Sequence, residues 1–334
     1  MDKDKFLLLK AKSGMGNRIL NLLGGILYSQ ITNRKIVVDW SDGVYSRKSL
    51  NVFPYLFSLK NVASATEVPD TDSVFPYMWT GNLHNNIGVA LKNNHLPNQD
   101  WFTRNPITWS TSRIDFACTD YQEKVLVNWS YFSDINRMRK LLKGPFKKFS
   151  YLNEKNIQKY LFTEHLCVSK EIQERVNFFK ESYFRSKNIG VHIRWTDRRT
   201  SFDEYQEIID SIIKDNVETS IFLATDNSLV QDYFVKIYGD KILLQEKWFP
   251  DKNSAILHLH YNKDCPDKLE NAYQALVDMY LLANCDYLVC NQTSTFALVA
   301  ELASNTPKMY IFDTSKRKLR ERLKISLFSQ PDTD

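Results

Sequence analysis

The cysteines follow no pattern. Cys118, Cys167, Cys265, Cys285 and Cys290 contain no CxxC pair and share no zinc-ligand spacing with histidine. A disulfide framework and a structural zinc site are excluded, and a reducing cytosol is the simplest compartment. Apolar runs are short, and none approaches the roughly 18 residues of a membrane span. Met1-Asp-Lys-Asp-Lys5 carries both signs of charge and no signal-peptide pattern. The sequons Asn128-Trp-Ser130 and Asn291-Gln-Thr293 are therefore read as chance. Internal repeats and low-complexity segments are absent. No stretch concentrates basic and aromatic residues as a nucleic-acid surface would.

What remains is an ordinary globular composition, 43% hydrophobic and 25% charged, with aromatics high at 13%. The 334 residues suffice for one large or two medium domains. A net charge of +5 is mildly basic and suits an anionic ligand or an acidic membrane surface.

Phe6-Leu-Leu-Leu-Lys10 predicts a short buried strand. Ser13-Gly-Met-Gly-Asn-Arg18 predicts a turn, Ile19 to Gln30 a buried helix, and Lys35-Ile-Val-Val-Asp39 a second strand. Gly14 and Gly16 match the first two glycines of a dinucleotide fingerprint, and Asp39 stands where a ribose-binding acid would sit. The third glycine is missing. Ile19 holds its place, and a β-branched side chain there opposes close helix–strand packing. An NAD site is set aside. The preferred reading keeps Gly14 and Gly16 for close backbone approach to a ligand. Asn17 and Arg18 then lie at a helix amino terminus that favours negative charge.

Residues 40 to 165 are less regular. Val125-Leu-Val-Asn-Trp129 predicts a strand, and Met138 to Lys148 a basic loop or helix edge. Trp40, Trp79, Trp101, Trp109 and Trp129 are either core aromatics or platforms for sugar rings. Asp70-Thr-Asp72 spells a metal-binding DxD, but follows no strong strand and is read as chance. A domain boundary is expected within Phe162 to Ser169, giving domains 1–165 and 166–334.

From Asn188 strands and helices alternate. Strands are expected at 188–193, 220–224, 241–244, 286–290 and 308–312. The helices fall at 202–215, from Asn227 or Ser228 to 238, at 270–284 and at 294–304. That alternation means a parallel sheet covered on both faces. Polar residues gather after three strands: Arg194 to Asp197, Thr225 to Asn227 and Asn291 to Thr295. In a strand, His192 and Arg194 share a face, and an arginine beside an imidazole at a strand end suits a phosphate-bearing ligand. Two Rossmann-like halves, the second richer in polar groups, suggest the α/β GT-B glycosyltransferase plan, with two domains facing a cleft and no metal required.

Three motifs in order support this. His192-Ile-Arg194-Trp-Thr-Asp197, Phe222-Leu-Ala-Thr-Asp226, and Asp286-Tyr-Leu-Val-Cys290 with Ser294-Thr295 resemble those of GDP-fucose fucosyltransferases. The pattern is nearest to the α1,6 enzymes, including the bacterial nodulation enzyme. Gly14-Met-Gly-Asn-Arg18 resembles the amino-terminal signature of α1,2 relatives. The resemblance implies that Arg194 binds the β-phosphate of GDP, that His192 contacts the nucleotide, and that Asp278 takes guanine. It places Asp226 near the nucleotide and Ser294 with Thr295 at the phosphates, although relatives often carry Gln at the latter position. Trp195 replaces a second arginine. The carboxylate that some relatives place after the motif falls on Phe202, so the base stays open among Asp197, Asp203 and Glu204, with Asp203 preferred.

The expected protein is a cytoplasmic bacterial enzyme, inverting, moving L-fucose from GDP-fucose to a surface-glycan or lipid-linked acceptor, without a bound cofactor or metal. A transferase using another nucleotide sugar, and a non-catalytic GDP- or glycan-binding module, are the alternatives.

The tail Lys316-Arg-Lys-Leu-Arg-Glu-Arg-Leu-Lys-Ile325 carries six basic residues and one acid, with Leu319 and Leu323 on one helical face. It either packs on the protein or holds it at an anionic membrane, at about 1 kcal/mol per basic residue. Sedimentation with anionic vesicles separates the two. Membrane attachment requires binding at low salt that is lost when Lys316, Arg317, Lys318 and Arg320 become Gln. Absence of that binding leaves the packing helix.

Overall fold

A computed structural model describes residues 4–47, 50–195, 202–215, 218–250, 264–305 and 309–312. The chain divides into two compact units, Met1–Val168 and Ser169–Asp334.

In the first unit, β1 (Phe6–Lys10) is buried along its whole length, as an uninterrupted apolar run in a parallel sheet should be. The helix α1 (Met15–Thr32) follows and leads to β2 (Lys35–Asp39). The predicted turn is shorter than its motif: Gly14 is the N-cap, so Gly16, Asn17 and Arg18 belong to the first turn of α1. The short α2 (Phe53–Leu56), β3 (Phe57–Leu59) and β4 (Val74–Phe75) come next. They are followed by α3 (Ile87–Asn93), α4 (Gln99–Arg104) and α5 (Pro106–Ser110). After β5 (Val125–Trp129), the basic stretch forms 3-10 turns at Ile135–Leu141 and Gly144–Tyr151. The unit ends with α6 (Glu154–His165) and β6 (Leu166–Val168). The main sheet runs β2-β1-β5-β4, all parallel. Because β6 pairs antiparallel with β3, Leu166–Val168 belongs to the first unit and not, as 166–334 implied, to the second.

The second unit opens with α7 (Lys170–Tyr183) and β7 (Lys187–Ile193). Then α8 (Phe202–Asp215), β8 (Thr219–Thr225), α9 (Ser228–Tyr238) and β9 (Ile242–Leu243) alternate. The chain continues through α10 (Lys268–Asn284), β10 (Tyr287–Asn291), α11 (Thr295–Ala303) and β11 (Met309–Phe312). The sheet is parallel, in the order β11-β10-β7-β8-β9. Ile189, Val191 and Ile193 of β7 pack with Tyr205, Ile209 and Ile212 of α8 and Val230 and Phe234 of α9. On α10, Leu276, Val277, Met279 and Leu282 are buried. Gly190 permits the approach of β7 to this helix: a Cβ there would meet Leu282 and Cys285 at 3.1 Å.

A close approach also explains glycine inside α1, where it costs helix propensity. A Cβ on Gly24 would lie 1.7 Å from the Ser133 carbonyl oxygen, whereas one on Gly14 would meet nothing within 4 Å. Alanine at position 24 gains about 1 kcal/mol of helix propensity but forces backbone apart. Gly24→Ala is therefore expected to lower unfolding stability by about 2 kcal/mol or more in denaturant titration. Gly14→Ala should cost less, about 1 kcal/mol, since Gly14 has an extended φ of −75° and room for a Cβ and loses only the preference for glycine over alanine at an N-cap. Equal stability of the two variants would contradict this packing.

Candidate functional site

The strand order of the second unit decides where a site can form. From β7 the chain moves outward through β8 to β9, then crosses back to β10 on the other flank of β7. The strands that follow β7 and β10 in the chain, β8 and β11, lie on opposite flanks of that pair, and open α/β sheets bind ligands at the carboxyl ends of strands at such a switch point. His192 lies near the end of β7 and Arg194 just after it, Asp226 follows β8, and Ser294 follows β10. The three polar groups that the sequence placed after strands thus share one sheet edge.

His192 is 8% exposed. Its ring stacks on Phe296 at 5.0 Å and 16°, and Nδ1 lies 3.4 Å from Ser294 Oγ. Burial drives its pKa from 6.5 down to about 3, with the charges of Arg194 and Lys247 adding to the effect. It is therefore a neutral imidazole throughout the physiological range. Ser294 caps α11, its Oγ accepting from the Ala297 N–H at 3.3 Å, and Thr295 begins that helix. A helix amino terminus beside a neutral histidine and Arg194 is an arrangement that favours anions.

Asp226 has a positioning contact: Oδ1 accepts the Trp195 N–H at 2.8 Å. This holds the chain just beyond Arg194. Trp195 in turn packs on Phe202 at 4.5 Å, and Phe202 on Tyr233 at 4.6 Å. The position where a carboxylate was sought is thus an aromatic clasp between β7 and α8. Asp203 and Glu204 lie in the first turn of α8, Asp203 exposed and Glu204 half-buried. Asp197 lies outside the described residues.

Asp278 is buried on α10, and burial raises its pKa against the opposing charge and hydrogen bond of Lys247. Lys247 Nζ donates to Oδ2 at 2.5 Å. The Gln245 amide, oriented so that its NH2 meets both acceptors, donates to Oδ1 at 2.6 Å and to the Gln274 carbonyl at 3.2 Å. The Trp248 N–H donates to Gln274 Oε1 at 3.2 Å. Lys247 was not singled out from the sequence. It stands 31 positions from its partner, in a segment without helical or strand periodicity.

In the first unit, Arg18 is turned inward. It is 1% exposed, donates to Asp42 at 2.7 Å and to the Ser13 carbonyl at 2.9 Å, and lies over the rings of Trp40 and Tyr45. Most of its guanidinium is occupied by the fold, though Nη1 is buried without a partner among the described residues. The Asn17 amide donates to Ser13 Oγ at 2.8 Å. Asp39 is held by Lys10 at 2.6 Å. Burial alone would raise its carboxyl, but Lys10 and Ser41 outweigh that and hold it below the usual range. Lys12 lies 4.2 Å from the Trp129 ring centre, and burial lowers its pKa to about 8 against the charge of Asp100. Trp40, Trp79, Trp109 and Trp129 are core residues, while Trp101 is 64% exposed. Asp70 and Asp72 are exposed.

A family profile described as Nodulation protein Z (NodZ) matches residues 150–320, just over half of the chain. The chain belongs to the NodZ family. Nodulation protein Z of Azorhizobium caulinodans is 24% identical over 308 residues, covering 84% of this chain and 83% of the relative. That of Sinorhizobium fredii is 22% identical, covering 93% and 94%. The structure of a NodZ alpha-1,6-fucosyltransferase soaked with GDP-fucose superposes with a TM-score of 0.62 at 21% identity, over 94% of this chain and 96% of the other. POFUT1 in complex with GDP gives 0.53 at 14% identity, over 93% and 99%. At these identities the superpositions establish the fold, the GT-B plan of two parallel-sheet units. The NodZ match contains His192, Arg194, Lys247, Asp278 and Ser294, so the whole switch-point edge lies within it.

The neutral His192 has a measurable consequence. Unfolded, it titrates near 6.5; folded, at about 3. Between these values the unfolded chain binds a proton that the native chain does not, so the contribution is complete above pH 6.5 and is lost as pH falls toward 3. His192→Gln should remove that part of the acid sensitivity, up to about 1.4 kcal/mol per pH unit, in denaturant melts at several pH values. Identical slopes in both proteins would contradict a buried neutral His192.

Proposed function

We propose that this NodZ-family protein is an inverting glycosyltransferase that transfers L-fucose from GDP-fucose to a glycan acceptor. The observation that carries the proposal is the grouping of Arg194, neutral His192, Ser294 at the start of α11, and buried Asp278 around one switch-point edge. The solved relatives with this fold support it, since they were studied with GDP-fucose or GDP. The second unit is the donor domain in this reading, and the first unit is the acceptor domain.

The acceptor hydroxyl attacks the anomeric carbon from the face opposite the diphosphate. The new carbon–oxygen bond forms as the bond to phosphate breaks, and GDP departs. Negative charge grows on the leaving diphosphate. Arg194 grips two of its oxygens, and the amides at the start of α11 with Ser294 and Thr295 supply further donors. His192 contacts the nucleotide as a neutral donor and adds no competing positive charge. Asp226 acts through the Trp195 main chain, keeping Arg194 at the strand end. Asp278 accepts N1–H and N2–H of guanine. The acceptor proton passes to a carboxylate, for which Asp203 is the proposed candidate ahead of Glu204 and Asp197. In the first unit, Gly14, Gly16 and Asn17 form an approach for the ligand that is open at Gly14. Arg18 serves there as internal support.

The enzyme acts in this reading at the cytoplasmic face of a bacterial membrane, on a surface-polysaccharide or lipid-linked acceptor. Among the described residues no helix is long and apolar enough to cross a membrane. The basic tail, which would provide peripheral attachment, lies outside the described residues.

Thermal unfolding with added nucleotides tests the donor assignment. GDP should raise the melting temperature more than UDP or ADP at equal concentration, by linkage. Arg194→Ala should reduce transfer about 100-fold or more while leaving the protein folded. Arg194→Lys should also be poor, because a point charge cannot replace the planar fork. Equal shifts with all three nucleotides, or near-normal transfer by Arg194→Ala, would overturn the proposal.

A further inference from the structure

The geometry of the 245–249 segment points to a second base-reading residue: we infer that Lys247 donates to O6 of guanine while Asp278 accepts the neighbouring N1–H and N2–H. The inference rests on the GDP reading above and deepens it.

The pair is built into the fold. Gln274 and Asp278 stand one turn apart on α10. Between them they hold the Trp248 N–H, the Gln245 amide and the Lys247 ammonium. The side chains of Lys247 and Asp278 are only 10% and 7% exposed. Among the described residues, Asp278 supplies the one oxygen hydrogen-bonded to Lys247, with the Phe249 ring on another side at 5.4 Å. An ammonium has three donors and an ionised carboxylate about four acceptor positions. The pair therefore keeps donors and acceptor positions beyond those it spends on itself and on Gln245. Lys247 is also close enough to His192 to disfavour its protonation, which puts it beside the switch-point edge.

One cation beside one anion is a chemical template for a base edge. Guanine presents, in order, the O6 acceptor and the N1–H and N2–H donors. An ammonium next to a carboxylate complements all three. Adenine presents the reverse: its six-position amine would face the ammonium, and its N1 lone pair the carboxylate. Uracil matches at O4 and N3–H, but its O2 lone pairs then meet the carboxylate. Two of the three bases are thus opposed by repulsive contacts as well as by missing bonds. A lone carboxylate would read two guanine donors but would leave the six-position unread.

Calorimetric titration of GDP, 6-thioguanosine diphosphate and inosine diphosphate into wild type and Lys247→Met tests this. The thio analogue keeps both donors and replaces O6 by sulphur, a weak acceptor. Inosine diphosphate keeps O6 and loses N2–H. Wild type should prefer GDP over the thio analogue by about tenfold or more, and Lys247→Met should narrow that ratio to within about twofold. Wild type should also prefer GDP over inosine diphosphate, which reports acceptance of N2–H by Asp278. A wild type that binds GDP and the thio analogue equally would overturn the inference without need of any variant. So would a Lys247→Met that weakens all three nucleotides alike and keeps the wild-type ratios, because Lys247 would then act only as the counter-ion of Asp278. Wild type that binds no guanine nucleotide would instead overturn the GDP reading itself.

Discussion

A carboxylate buried as deeply as Asp278 requires a cation, and the second unit is arranged around meeting that requirement. Removing one partner of a buried pair costs about 3–5 kcal/mol, because an uncompensated charge is left behind. Lys247 answers it at 2.5 Å. To do so, the segment after β9 must lie along α10, where Gln274 holds the Trp248 main chain. That placement brings a second positive charge, besides Arg194, to bear on His192, adding to the burial that already keeps the ring neutral. One buried pair thus fixes a loop and a charge pattern.

The sheet supplies the rest. Parallel strands bring every carboxyl-terminal end to one edge, and the reversal of direction at β7 opens that edge between β7 and β10. The helix that follows β10 starts there, capped by Ser294. Phosphate chemistry needs positive potential from fixed groups, and in the proposed reading the Arg194 guanidinium and the amides at the start of α11 provide it. The aromatic clasp of Trp195, Phe202 and Tyr233 keeps Trp195, the residue after Arg194, close to α8. Where a second charged group was sought, this sequence carries packing.

The second unit was legible because its local signals agree. β-branched residues at 189, 191 and 193 mark a buried strand, and helical spacing of apolar residues marks α8 and α10. Asn227 caps α9 as expected, accepting from the N–H groups of Leu229 and Val230. The first unit was harder. Its asparagine-rich stretch reads as loop, yet Asn86, Asn98 and Asn105 each cap a short helix through the side-chain oxygen. Three helices of seven residues or fewer carry too little periodicity to be found without those caps. Tertiary pairing was invisible as well. Nothing local says that Arg18 turns inward to Asp42, or that Lys247 meets Asp278 across a long stretch of chain. The motif residues could be named because their spacing resembles that of a family; Lys247 belongs to no such spacing and emerges only from three-dimensional contact.

The central claim is that this edge handles a guanosine diphosphate sugar and discriminates it by its base. Donor consumption measured side by side for GDP-fucose, GDP-mannose, UDP-glucose and ADP-glucose tests it most directly. The account predicts turnover confined to the GDP-linked sugars and fastest with GDP-fucose. Consumption of a UDP- or ADP-linked sugar at the same rate, or of none of the four, would contradict it.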